Sequence, residues 1–136
     1  MSNGIAIDTN IAIYAFSEGP KCDAAMLVLE AGPLVSVQLL NEFVNVSLRK
    51  RRATWPEIAE SLAIINTLAG GIRAVDAEMH RLGRTIAQSY RLGIYDALII
   101  AAALLDGCDS LFSEDMQHGL VVDGKLTIIN PFLENP

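Results

Sequence analysis

Histidine, cysteine and tryptophan are scarce in this 136-residue chain, at two, two and one residues. Cys22 and Cys108 stand alone with no CxxC motif, which excludes a disulfide-dense scaffold and suits a reducing compartment. With so little histidine, and neither cysteine inside an acidic motif, the usual Cys/His ligands of zinc are missing. The longest apolar run, residues 97–105, has nine members, about 14 Å as a helix and roughly half of a bilayer crossing. No membrane partner is expected. The first residues, Met1-Ser2-Asn3-Gly4, carry neither a basic stretch nor a small-residue cleavage site, so a cytoplasmic location is expected. GxxxxGK[ST], GxGxxG, GxSxG and HExxH are absent, so triphosphate-binding, Rossmann, serine-hydrolase and zincin readings have no support.

What the chain does have is apolar mass. Hydrophobic residues make up 51% and mean hydropathy is +0.36, enough for a real core and incompatible with disorder. The ten glycines and five prolines are scattered, so residues 1–136 are expected to form a single domain. The net charge of −6 argues at first against a nucleic-acid partner. Acids that hold a metal are not surface field, however, and setting aside four of them leaves −2. The basic residues are also uneven, with a block at Arg49-Lys50-Arg51-Arg52.

Strand and helix patterns alternate along the chain. Ile5-Ala6-Ile7 is a buried-strand run ending at Asp8, followed by a short helix over 9–16. Pro20 suits the first turn of a second helix reaching residue 31, stopped by Gly32-Pro33. A strand over 34–37 leads into an amphipathic helix over 38–52. Thr54-Trp55-Pro56-Glu57 has capping-box form and opens a helix to about residue 69. A strand over 72–75 precedes a helix capped by Asp76 and stopped by Gly93. An all-round apolar helix over 95–105 and strands over 109–112 and 125–129 complete the pattern. This is an α/β fold, a three-layer α/β/α sandwich on a mostly parallel sheet of about five strands.

In open α/β sheets, ligands sit beyond the carboxyl ends of the strands. The polar residues there are Asp8-Thr9-Asn10 after the first strand, Gln38, Asn41 and Glu42 after the second, and Ser113-Glu114-Asp115 after the fourth; Asp96 begins the buried helix. Singly, each has a plain explanation: Asp8 and Asp96 as helix caps, Glu42 as a solvated group, Asp115 as a turn residue. Their convergence is what points to chemistry. Carboxylates gathered in one crevice repel unless a cation neutralises them, and an all-oxygen site suits Mg²⁺ or Mn²⁺. Such an ion supplies Lewis-acid activation for phosphodiester hydrolysis. On the helix bearing Glu42, Arg49 and Arg52 share its polar face, with Arg49 about 10 Å along the axis. They could contact RNA phosphates, or simply complement the helix dipole.

Taken in order, Ile5-Ala6-Ile7-Asp8-Thr9-Asn10, Asn41-Glu42-Phe43, Tyr95-Asp96-Ala97 and Ser113-Glu114-Asp115 resemble the PIN-domain family, and within it the VapC toxins of bacterial toxin–antitoxin pairs. The likeness spans about residues 5–131. It implies a five-stranded parallel sheet, Mg²⁺- or Mn²⁺-dependent endoribonuclease activity, a VapB-like antitoxin partner and a tendency to form homodimers. Asp8, Glu42, Asp96 and Asp115 match the family's acidic set. By that resemblance Asp8 and Asp96 would ligate the metal, Asp115 directly or through water, and Glu42 would orient the water. Thr9, Asn10 and Ser113 match supporting polar positions. Glu114 beside Asp115 departs from the pattern and leaves open which of the two faces the metal.

Two readings from other classes compete. A phosphoacceptor receiver domain wants paired acids after the first strand and a lysine just after a late strand; here Asp8 is single and Lys125 begins its strand. A catalytically silent PIN-like module that binds RNA or protein could carry all four acids.

Overall fold

The protein is described by a computed structural model covering residues 4–133. The strands are β1 (Ile5–Ile7), β2 (Leu34–Ser36), β3 (Gly71–Arg73), β4 (Ser110–Phe112), β5 (Val121–Val122) and β6 (Leu126–Ile129). The helices are α1 (Thr9–Ala15), α2 (Cys22–Glu30), α3 (Val37–Arg49), α4 (Trp55–Leu68), α5 (Ala77–Tyr90) and α6 (Ile94–Leu105). One sheet runs in the order β3-β2-β1-β4-β6-β5, parallel throughout except for the antiparallel pair β5–β6. The strand order reverses between β1 and β4, which defines a switch point beyond their carboxyl ends.

The expected α/β architecture is present, with six strands instead of about five. The additional strand comes from a tight hairpin with a three-residue connection, in which Asp123 and Gly124 take φ of 52° and 66°, left-handed backbone that favours such turns. Lys125 lies in that turn, just before β6.

Other differences are local. Pro20 lies in an exposed turn before α2, whose N-cap is Lys21. Helix α5 stops at Arg91, which adopts the left-handed conformation, while Gly93 serves as the N-cap of α6. The capping box at Thr54 and Glu57 forms as its sequence implies, each side chain bonding the other's backbone N–H at 3.3 and 2.8 Å.

The core explains how the site is held. In α6 every residue from 97 to 103 is buried, because this helix packs against α5 and the sheet. Gly83 on α5 lies against Leu98: a Cβ there would stand 2.8 Å from Leu98 Cδ2, so that side chain would have to shift. A mid-helix glycine ordinarily costs about 1 kcal/mol against alanine; here it leaves room for Leu98 of α6, the helix that carries Asp96.

Candidate active site

Register brings the two halves of the site together. Ile7 pairs with Phe112 across β1 and β4, so the next residues, Asp8 and Ser113, meet directly beyond the strand ends. The Asp8 N–H donates to Phe112 O at 2.9 Å and the Ser113 hydroxyl donates to Asp8 Oδ2 at 2.8 Å. Asp8 also accepts from the Thr9 N–H on Oδ1 (2.7 Å) and from Asn10 Nδ2 on Oδ2 (3.3 Å). It is therefore both the cap of α1 and the floor of a pocket. The two readings of this residue are compatible.

Glu42 enters from the early part of α3. It accepts from the Thr9 hydroxyl on Oε2 (2.7 Å) and from Gln38 Nε2 on Oε1 (2.9 Å). Asp96 is the third residue of α6, in its first turn, and the N-cap is Gly93, so Asp96 does not cap the helix. Asp8, Glu42, Asp96 and Asp115 line one cavity of about 330 Å³, together with Thr9, Asn10, Ile13, Tyr14, Val46 and Lys50. All four acids expected from sequence thus open on one space, and Thr9, Asn10 and Ser113 are bonded to them.

Glu114 turns elsewhere. Its carboxylate accepts from the Tyr14 hydroxyl at 2.6 Å and pairs with Lys21, while its backbone N–H donates to Asn10 Oδ1 at 3.3 Å. The arrangement assigns the pocket to Asp115 and leaves Glu114 outside its lining.

Electrostatics mark the same group. Burial pushes the Asp8 carboxyl up to about 6, with the negative charges of Asp96 and Glu42 adding to the effect and hydrogen bonds from Ser113 and Thr9 opposing it. Asp96 is also raised, chiefly by burial and then by the charges of Asp115 and Glu42. The acids therefore sit in one another's field. Among the described residues no three acidic, histidine or cysteine groups stand as a ready-made metal cage. The donor chemistry nonetheless fits a hard divalent cation: the cavity gathers carboxylate oxygens, and a cation would relieve their mutual repulsion.

The basic residues differ from expectation. Arg49 is the last residue of α3 and exposed, and Arg52 lies beyond the helix with φ of 52°. Arg52 therefore cannot share the helix face of Glu42. Lys50 reaches the cavity in their place. Its spacing, Glu42, Val46, Lys50 at i, i+4, i+8, was the signal available in the sequence. Tyr14, which both lines the cavity and holds Glu114, gave no comparable signal.

Fold and site together define an α/β protein with a carboxylate-lined cleft at the switch point of its sheet. The chain belongs to the PIN-domain family, whose model matches residues 5–120. No curated protein matches the chain. Among solved structures, a toxin–antitoxin complex from Klebsiella pneumoniae is similar at 24% identity and a TM-score of 0.69, covering 94% of this chain and 98% of that one. VapC20 of Mycobacterium tuberculosis, described as a sarcin-ricin loop cleaving toxin, is similar at 18% identity and a TM-score of 0.67, covering 82% and 89%. VapBC2 of Rickettsia felis, bound to a DNA fragment from its promoter, is similar at 22% identity and a TM-score of 0.59, covering 82% and 86%. At these identities the likeness is one of fold. None of the described helices is long and apolar enough to cross a membrane.

Proposed function

We propose that this PIN-domain protein is a divalent-metal-dependent endoribonuclease, the toxin of a VapBC-type toxin–antitoxin pair. The observation that carries the reading is the shared cavity of Asp8, Glu42, Asp96 and Asp115 beyond β1 and β4. Two toxin–antitoxin complexes and a sarcin-ricin loop cleaving toxin among its structural neighbours support the biological setting. A VapB-like antitoxin is the expected protein partner, a homodimer the expected assembly and the cytoplasm the expected location.

In this reading Asp8, Asp96 and Asp115 hold Mg²⁺ or Mn²⁺, which when bound supplies Lewis-acid stabilisation of charge on the scissile phosphate. The chain's own groups do the positioning. Ser113, Thr9 and Asn10 fix both oxygens of Asp8. Glu42, oriented by Thr9 and Gln38, is placed to accept a proton from the attacking water. Lys50, which lines the cavity, provides a cation for an adjacent phosphate, and Arg49, exposed at the end of α3, one for a phosphate further along the RNA.

The test is cleavage of end-labelled total RNA by the purified chain with Mg²⁺, with Mn²⁺ and with EDTA, beside Asp8→Asn. Discrete fragments that disappear with EDTA and in the variant are expected, and their ends identify the substrate. A folded protein that binds Mn²⁺ calorimetrically and cuts nothing would return the silent binding module. Cleavage surviving Asp8→Asn would refute the four-acid site.

A further inference from the structure

A second groove adjoins the acidic cavity and differs from it in chemistry. It has a volume of about 570 Å³ and is lined by Gln38, Asn41, Glu42, Asn45 and Val46 of α3 and by Tyr95 of α6, within the roughly 300–1,000 Å³ of small-ligand sites. Glu42 and Val46 line both spaces. Tyr95 is 62% exposed, immediately before Asp96 in the first turn of α6.

Resting on the nuclease reading above, we propose that this groove is a nucleobase subsite, in which a base beside the scissile phosphate stacks on Tyr95 and is read by carboxamides. Three features favour a base over other ligands. The groove carries no lysine or arginine, so it offers nothing for a phosphate. Its polar groups include three neutral amides, each able to donate and to accept, as base edges require. Gln38 Nε2 gives one N–H to Glu42 Oε1 at 2.9 Å, which leaves its carbonyl oxygen and its second N–H to offer, while Asn41 and Asn45 are exposed on α3. Finally, an exposed aromatic ring beside such amides is the usual platform for an unstacked base of single-stranded RNA. The common wall of Glu42 and Val46 makes this base a near neighbour of the phosphate in the acidic cavity.

The test uses two readouts. In the first, a single-stranded RNA pool of random sequence is cut with Mg²⁺ or Mn²⁺ and the fragment ends are sequenced. The wild type is expected to prefer a base next to the cut. Tyr95→Ala and Asn45→Ala flatten that preference, with KM rising roughly tenfold for Tyr95→Ala, and Tyr95→Phe keeps both. In the second, a short single-stranded RNA carrying one 2-aminopurine is titrated with Asp8→Asn protein, where cleavage does not intervene. Quenching of the base is expected, persisting with Tyr95→Phe and lost with Tyr95→Ala in the same background.

An active enzyme whose base profile and KM are unmoved by Tyr95→Ala would overturn the subsite and leave the groove to a protein partner. Tyr95-dependent quenching without any cleavage by the wild type would uphold the subsite and sink the nuclease reading. Neither cleavage nor quenching would sink both.

Discussion

Glu114 and Asp115 are neighbours in the chain, and their side chains turn to different surroundings: Asp115 lines the acidic cavity and Glu114 does not. Glu114 is met by Lys21 and by the Tyr14 hydroxyl, and these hold its carboxyl below the usual range. Lys21 in turn lies over the rings of Tyr14 and Phe132, at 4.8 and 5.4 Å from their centroids. Across the site, Asp8 and Asp96 have no such cation and are pushed the other way. An acid that serves the fold comes with its counter-charge. Acids buried beside one another without one cost the fold stability, and that cost makes sense where a cation from outside restores the balance.

The largest expected effect breaks this comparison if it fails. Asp8→Asn should lower RNA cleavage on the order of a thousandfold or more, while making the metal-free protein more stable at pH 7.5. Raising the carboxyl from 3.8 to about 6 corresponds to about 3 kcal/mol of penalty on the ionised form. Part of that gain is lost, because asparagine keeps a single oxygen, enough for the Thr9 N–H on one side or for the Ser113 and Asn10 donors on the other. Thermal unfolding in EDTA measures it. A variant less stable than the wild type would mean that the Asp8 charge is already compensated.

The pH dependence follows with a definite sign. Because the folded carboxyl titrates near 6 and the unfolded one near 3.8, the native state binds the extra proton between those values. The Asp8 contribution to stability is therefore best at low pH and is lost as pH rises through about 6. The stability difference between Asp8→Asn and wild type should be full at pH 7.5 and close toward pH 4. Mn²⁺ should show the mirror image: it raises the unfolding temperature of the wild type at pH 7.5 and progressively less below about 6, since a ligating carboxylate must be ionised.

A smaller effect sharpens the same point from beneath the site. Ser113 donates to Asp8 Oδ2 and accepts from the Met116 N–H at 3.3 Å, and it is fully buried. Ser113→Ala leaves that N–H without its acceptor and removes one of the donors to Asp8, at a cost of about 1–3 kcal/mol. It should also move the pH midpoint of Mn²⁺ binding upward, because the hydrogen bond favours the charged form. Isothermal titration across pH measures the shift. A midpoint that stays put would show that Ser113 does not tune Asp8.

Much of this was legible in the sequence, for a physical reason. The apolar runs before Asp8 and before Ser113 mark strands through burial alone, and in a parallel sheet the residue after a strand is committed to the ligand edge. Asp8, Glu42 and Asp115 could be placed from that rule without knowing any distance, and Asp96 from its position at the start of the buried helix that leads into β4. What the rule could not supply was direction within a loop: Glu114 and Asp115 are equivalent to it, and only the packing of Lys21 and Tyr14 separates them. Arg52 failed because helix α3 ends at Arg49, and a terminus is decided by tertiary contacts as much as by propensity. Arg51 shows the competition, its guanidinium bonding Phe16 O and Ser47 Oγ. The β5–β6 hairpin has a local signal in Asp123-Gly124 after Val121-Val122, which the reading of this stretch as a lone strand over 125–129 did not use.

The smallest expected effect is also the most direct test of the pair with which the comparison began. Glu114→Gln removes a charge but keeps an acceptor for Tyr14, and the ion pair it breaks is partly exposed to solvent, where such pairs contribute little. The fold should survive with a slightly lower melting temperature, and RNA cleavage should fall by a few-fold at most, through a looser Asp115 loop. Asp115→Asn, one residue on, touches no such ion pair and should leave the melting temperature level while cutting cleavage far more deeply. The two isosteric changes thus rank in opposite order on two axes, stability and catalysis. Equal loss of cleavage in both would mean that Glu114 leaves Lys21 to join the site when substrate binds, and the division between compensated and uncompensated acids would describe only the resting protein.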